Sequence, residues 1–173
     1  MAKCPVCKVR YTPTRPMQTA CSWQCSLTRV RVKEKKKAKA ALKEAREKLK
    51  TRRELLQEVQ KEFNAYIRAR DDAEPCISCG RHHTGQYHAG HYRTVKAAPE
   101  LRFDPMNCHK QCSVCNNHLS GNLIGYRQGL IKKIGQAAVE SLEGPHEPKK
   151  YIKEELEKMK KTFRAMKKAL TMP

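Results

Sequence analysis

Two histidines lie three residues apart, His88 and His91, inside the run QYHAGHYR. A neutral imidazole near pH 7 can take a proton from water, or it can bind a metal ion. What these two can do depends on their surroundings. CISC begins upstream at Cys76, and NCHKQCSVCNNHLSGN fills 107–122 downstream. The chain therefore places its histidines between two cysteine pairs.

The nine cysteines fall into two clusters. Cys4, Cys7, Cys21 and Cys25 form C-x2-C-x13-C-x3-C, a spacing that suits four thiolates around tetrahedral zinc. TPTRP at 12–16 breaks the intervening segment into turns. The second pair runs straight into a helix pattern, as in a treble-clef finger. Such a site is closed, so it orders the N-terminus and presents Arg10, Arg15 and Trp23 rather than reacting. Cys76, Cys79, Cys112 and Cys115 make a second set of four, with 32 residues between the two knuckles. Cys108 can replace Cys112 in that set, but Cys112 and Cys115 give the tighter knuckle, so Cys108 is expected to be a free thiol. The expectation is two structural Zn2+ ions per protomer.

Lys and Arg number 37 against 17 acids in 173 residues, a formal charge of +20. Such a charge favours a polyanionic partner, nucleic acid above all. No apolar run reaches the 18 or more residues of a membrane span, and MAKCPVCKVR has no apolar signal core. These features point to the cytoplasm, where thiols stay reduced and bind zinc in preference to forming disulfides.

The elements that must position these groups are read from pattern. Residues 26–72 contain no Cys, Gly or Pro. The stripe Ala38, Leu42, Ala45, Leu49, Arg52, Leu56, Val59, Phe63, Tyr66, Arg70 alternates four and three, which predicts one long heptad helix. Ahead of the stripe, RVRVKEKKKAK is basic on every face; Arg29, Arg31, Lys33, Lys35, Lys36, Lys37 and Lys39 could track phosphates. A second stripe, Ile152, Leu156, Met159, Phe163, Met166 and Leu170, predicts a C-terminal amphipathic helix with Pro148 in its first turn. The two stripes can pair within one chain or between two chains of a homodimer. GPHEP at 144–148 separates the last helix from another over about 122–142. Between the CISC and CSVC knuckles, GQYHAGHYRT and ELRF (100–103) read as two strands, DPMN as a turn, and NNHL as the start of a helix. The domains expected are a zinc finger at 1–26, the long basic helix at 27–72, a zinc-clamped core at 73–143 and the C-terminal helix at 148–173.

Cys-x2-Cys, Ala-Gly-His, Asn107 and Cys-x2-Cys-Asn resemble the zinc-clamped HNH nucleases, also called His-Me finger or ββα-metal enzymes. The run AGHYRTVKAAPELRFDPMNCHKQCSVCNNHLSGN is similar to the NinG family of lambdoid phages, and the resemblance covers essentially the whole chain. It implies a small, zinc-stabilised α+β protein with a treble-clef-like finger, a long basic helix, an HNH core and C-terminal helices. It also implies a metal-dependent endonuclease that cuts Holliday junctions, D-loops and other branched DNA during phage recombination. In that frame His91 is the general base, Asn116 a ligand of the catalytic metal, and Asn107 the residue that orders the loop and holds the base.

Phosphodiester hydrolysis needs a proton acceptor for water and a cation to stabilise the departing oxygen, a task for Mg2+. Many HNH enzymes place a second metal ligand immediately before the base, but here that residue is Gly90. Residue 88 shares a strand face with residue 90, so His88 is the candidate second ligand, and an imidazole there suits Mn2+ as a substitute. Arg93 flanks the strand and could grip the DNA backbone. No small-molecule cofactor is expected. The rival readings are a zinc-finger DNA-binding recombination factor without catalysis, which needs neither His91 nor Asn116, and an HNH nickase acting on plain duplex.

Overall fold

The structure, a computed structural model, describes residues 1–172. It divides into two compact units, residues 1–50 and the remainder from Thr51.

The first unit opens with a short hairpin. Strand β1 (Ala2–Lys3) pairs antiparallel with β2 (Arg10–Tyr11), with Ala2 opposite Tyr11 and Lys3 opposite Arg10. Cys4 and Ala20 are the buried residues of this unit. The chain then enters helix α1 (Trp23–Lys48), whose N-cap is Ser22; its side-chain oxygen accepts from the Cys25 amide. None of the 26 residues of α1 is buried. The first half of the predicted seam is therefore uncovered: Leu42 is 73% exposed, and Leu49, the C-cap, 81%.

One continuous helix was expected over 27–72, and the structure has two. Helix α1 stops at Lys48, and α2 (Arg52–Arg70) begins afresh. The reason is a capping box. Thr51 Oγ1 accepts from the Glu54 amide at 3.2 Å, and the Glu54 carboxylate accepts from the Thr51 amide at 2.7 Å. Two amides that a continuous helix would have bonded internally are satisfied by side chains instead.

The second unit is built around the other half of the seam. Leu55, Val59, Phe63, Tyr66 and Ile67 of α2 are buried, together with Leu156 and Phe163 of α5 (Lys153–Thr171). The two stripes therefore pair within the chain. Lys160 bridges Glu58 and Arg164 bridges Glu62, so α2 and α5 run parallel. Helix α5 starts five residues later than Pro148 suggested. Tyr151, just before it, is buried against Phe103, with ring centroids 5.1 Å apart.

Against α2 lies a two-stranded antiparallel sheet, β3 (Tyr87–His91) and β4 (Cys108–Cys112). Its register sets Tyr87 opposite Cys112, His88 opposite Gln111, Gly90 opposite His109 and His91 opposite Cys108. The strand expected at ELRF is instead a 3-10 turn at Pro99–Leu101, whose proline fixes φ at its first position. Leu101 and Phe103 turn inward to the core. The helix expected from NNHL is one π-helical turn, Val114–His118.

The helix expected over 122–142 is divided at Gly135 (φ 85°) into α3 (Leu123–Ile134) and α4 (Gln136–Glu143). A β-carbon on Gly125 would stand 2.2 Å from the Ser78 carbonyl oxygen, and one on Gly129 2.0 Å from that of Ile77. Only glycine lets α3 lie so close to the CISC knuckle.

No helix among the described residues is long and apolar enough to cross a membrane.

Candidate functional site

The eight predicted zinc ligands gather as expected into two tetrads. Within each, the four sulfur atoms all lie within 4.8 Å of one another. Sulfurs bound about 2.3 Å from one tetrahedral ion fit that spacing. In the first tetrad Cys7 and Cys21 Sγ are 3.4 Å apart. In the second, the Cys112 amide donates to Cys76 Sγ and the Cys115 amide to Cys112 Sγ, the backbone support that a thiolate knuckle needs. His83 Nε2 lies 3.2 Å from Cys79 Sγ. Burial works against the Cys79 thiolate, yet His83 and the Arg81 backbone outweigh it and bring its pKa to about 6. Cys108 is outside both tetrads and fully buried in the α2–α5 core. Two sites that could hold zinc thus lie at the predicted residues.

His91 ends β3. Its Nε2 lies 2.8 Å from the Arg102 carbonyl oxygen, which can only accept, so Nε2 carries the proton and Nδ1 keeps a lone pair. The ring packs beside Phe63, centroids 5.9 Å apart, and Nδ1 lies 3.9 Å from Cys108 Sγ. Burial lowers the pKa below the ordinary 6.5, against the opposing pull of the Arg102 carbonyl. The imidazole is therefore neutral at pH 7, in the protonation state a base requires. The ring thus packs against the core shared by α2 and α5.

Asn107 is fully buried and makes three hydrogen bonds. Its Oδ1 accepts from the Arg93 amide at 2.8 Å, and its Nδ2 donates to the carbonyls of Arg93 at 3.0 Å and Leu101 at 3.2 Å. It staples the exit of β3 to the turn that carries Arg102. The carbonyl that orients His91 is thus held indirectly by Asn107.

Asn116 sits half-buried in the π-helical turn. Its Nδ2 donates to Asn117 Oδ1 at 2.6 Å, leaving Oδ1 free of that bond. That oxygen lies 3.0 Å from where a β-carbon on Gly90 would be. By strand alternation Gly90 and His88 share one face of the sheet, whereas His91 shares the other with Ala89 and Cys108. Asn116 and His91 accordingly flank the Gly90–His91 peptide, and no hydrogen bond joins them among the described residues. His88 borders a recess with Arg68, Asp72, His82, His83 and Lys110. An amide oxygen and an imidazole are each ligands that a divalent cation accepts, but Asn116 does not line the recess that His88 borders.

His109, opposite Gly90 on β4, is engaged elsewhere. Its Nδ1 accepts from Arg70 at 2.8 Å and its Nε2 faces the Met106 carbonyl at 3.1 Å. Both it and Arg70 belong to a network around buried Asp71, which also accepts from Lys133 Nζ at 2.9 Å and the Lys110 amide at 3.0 Å. Burial opposes the charge on Asp71, but His109, Arg70 and Lys133 outweigh it and hold its carboxyl far below the usual range. This network pins the end of α2 to β4, and nothing in the sequence pattern announces it.

Of the basic residues singled out, Arg29, Arg31, Lys33, Lys35, Lys36, Lys37 and Lys39 are all exposed on α1. Arg29 also reaches the Thr19 carbonyl at 3.4 Å. Arg93 donates to the Glu143 carbonyl at 3.0 Å, at the C-terminal end of α4, so its guanidinium already has a structural partner.

The family profile described as "Bacteriophage Lambda NinG protein" matches residues 1–172. The chain belongs to the NinG family. Curated NinG proteins show the same relationship along nearly their full length. "Protein ninG" of Escherichia phage 933W is 42% identical over 93% of this chain and 89% of its own. The NinG proteins of Salmonella phage P22 and Escherichia phage lambda are 41% and 40% identical, each over 91% of this chain and 86% of theirs. No solved structure matches the chain.

The residues that sequence reasoning missed, Arg102, Gln111 and Asp71, act through a backbone carbonyl, a buried amide and a buried ion network. None carries a spacing signature. Gln111 alone could have been reached, since it stands opposite His88 once β4 is paired correctly.

Proposed function

We propose that this NinG protein is a metal-dependent, structure-selective DNA endonuclease of the HNH class, cutting Holliday junctions, D-loops and other branched DNA during phage recombination. The observation that carries the reading is His91: a neutral, half-buried imidazole with its proton held on Nε2 and its Nδ1 lone pair unprotonated. A pure DNA-binding protein has no use for that arrangement.

His91 Nδ1 accepts the proton of the attacking water. Asn107 fixes the turn whose carbonyl sets the tautomer. Asn116 Oδ1 and His88 would hold Mg2+, with Mn2+ as a substitute, and the ion would supply charge neutralisation at the departing oxygen. Because His91 and Asn116 flank the Gly90–His91 peptide, the scissile phosphate binds at the end of β3. The two zinc tetrads are structural. The exposed cations of α1 supply affinity by pairing with phosphates. Selectivity for branches comes from a homodimer that sets two sites at a fixed separation. Since the α2 and α5 stripes already face each other, the dimer interface falls to the uncovered stripe of α1, with Leu42 on it and Leu49 just past its end.

The test offers zinc-loaded protein a labelled four-way junction and its component duplexes in Mg2+. Cleavage confined to the junction supports the proposal. Equal cleavage of the duplexes favours a plain HNH nickase, and tight binding without cleavage of either favours a DNA-binding factor.

A further inference from the structure

Gly90 stands where many HNH enzymes carry a metal ligand, and it leaves a gap on the sheet face opposite His91. The gap is not empty. A β-carbon on Gly90 would meet Gln111 Oε1 at 2.2 Å and Asn116 Oδ1 at 3.0 Å, so two amide oxygens lie within 3.0 Å of one point.

Both oxygens are aimed there by their own nitrogens. Gln111 is 1% exposed. Its Nε2 donates to Ser78 Oγ at 2.6 Å and to the Gly121 carbonyl. A carbonyl oxygen can only accept, so the amide cannot be turned around, and Oε1 must face Gly90. Among the described residues that Oε1 has no hydrogen-bond donor. Asn116 is oriented in the same way, through its Nδ2 bond to Asn117. No buried side-chain oxygen among the described residues lacks a partner, so this oxygen, which has no donor, is one that solvent, or a cation from it, reaches. Hard oxygen donors converging on one point are what a small divalent cation such as Mg2+ takes.

We propose that Gln111 Oε1 is a ligand of the catalytic metal, substituting across the strand pair for the side chain that Gly90 lacks. The inference rests on the metal-dependent nuclease reading above and adds a ligand to the Asn116 and His88 of that reading. It also ties the two metal chemistries together. Ser78, which holds the Gln111 amide, belongs to the CISC knuckle of the second zinc tetrad.

The direct test needs no substitution. Zinc-loaded full-length chain, labelled with 13C and 15N, is titrated with Mg2+ and followed at the side-chain carbonyl carbons. The proposal expects Gln111 Cδ and Asn116 Cγ to shift together with one Kd. A shift at Asn116 alone overturns the role of Gln111 and leaves the metal reading standing. If neither moves, both fail. A ligand exchange provides the second arm. Q111A should weaken Mn2+ binding, read by electron paramagnetic resonance, about 10- to 100-fold, the range for losing a group that orients a metal site. G90D alone collides with Gln111, but G90D/Q111A restores a ligand at the same place and recovers Mn2+ binding. Unchanged Mn2+ affinity in folded Q111A, with its two zinc ions retained, overturns the proposal.

Discussion

Asn107→Ala separates positioning from chemistry at this site. The side chain is fully buried and satisfies three backbone groups: the Arg93 amide, the Arg93 carbonyl and the Leu101 carbonyl. At about 1 kcal/mol net per hydrogen bond the substitution costs about 3 kcal/mol, and more if water cannot reach the orphaned groups. With a urea dependence of about 1–3 kcal/mol per molar, the unfolding midpoint of zinc-loaded protein should fall by about 1–3 M. Where the variant is still folded, cleavage should also slow, because the Arg102 carbonyl that sets the His91 tautomer sits one residue beyond Leu101. The slowing should fall on kcat, with junction affinity nearly unchanged. Asn107→Asp keeps the acceptor for the Arg93 amide but sets a carboxylate oxygen against the Arg93 and Leu101 carbonyls in a fully buried site, so it should be no more stable than alanine. An unchanged midpoint for Asn107→Ala would refute the reasoning, since a buried three-bond staple cannot be removed without cost.

Gly129→Ala places a β-carbon 2.0 Å from the Ile77 carbonyl oxygen and should cost about 1–3 kcal/mol, measured by thermal unfolding, with weaker zinc retention in the second tetrad; an unshifted transition counts against the close approach of α3. The pH profile of kcat/KM should keep its acid limb below 6.5, because burial favours the neutral form of His91 and only its protonation removes the base; a midpoint above 6.5 contradicts this. Neutralising Lys35, Lys36 and Lys37, all exposed, should weaken DNA binding and flatten its salt dependence by about 0.9 for each phosphate no longer neutralised, and an unchanged slope rejects α1 as the phosphate-binding element.

Cysteine spacing made the two tetrads readable, because four thiolates in C-x2-C and C-x3-C pairs have few uses other than holding a metal. Strand β3 was readable from YHAGH bounded by turn residues. Strand β4 was not. CHKQC contains no β-branched residue, and its polar side chains are buried only because Arg70, the Asp72 carbonyl, Ser78 and the Gly121 carbonyl pair with them. Those partners lie 10 to 39 residues away, beyond any local pattern. ELRF has the alternation of a strand, but Pro99 starts a 3-10 turn that buries Leu101 and Phe103 in two different clusters. The break between α1 and α2 was present in the letters as Thr51-Arg-Arg-Glu54, a capping box that the heptad count overrode. At the site, His91 and Asn116 were identified through resemblance to a family motif. The Arg102 carbonyl that orients His91 has no identity in a sequence, since every residue carries the same carbonyl group.

The most direct test of the account compares wild type with His91→Ala on a four-way junction in Mg2+, with binding and cleavage measured in the same reactions. Wild type should cleave. His91→Ala should bind the junction nearly as tightly, retain two zinc ions, and cleave about 100- to 10,000-fold more slowly, with no recovery in raised Mg2+ or Mn2+. Cleavage at the wild-type rate by folded His91→Ala would contradict the central claim that His91 is the base.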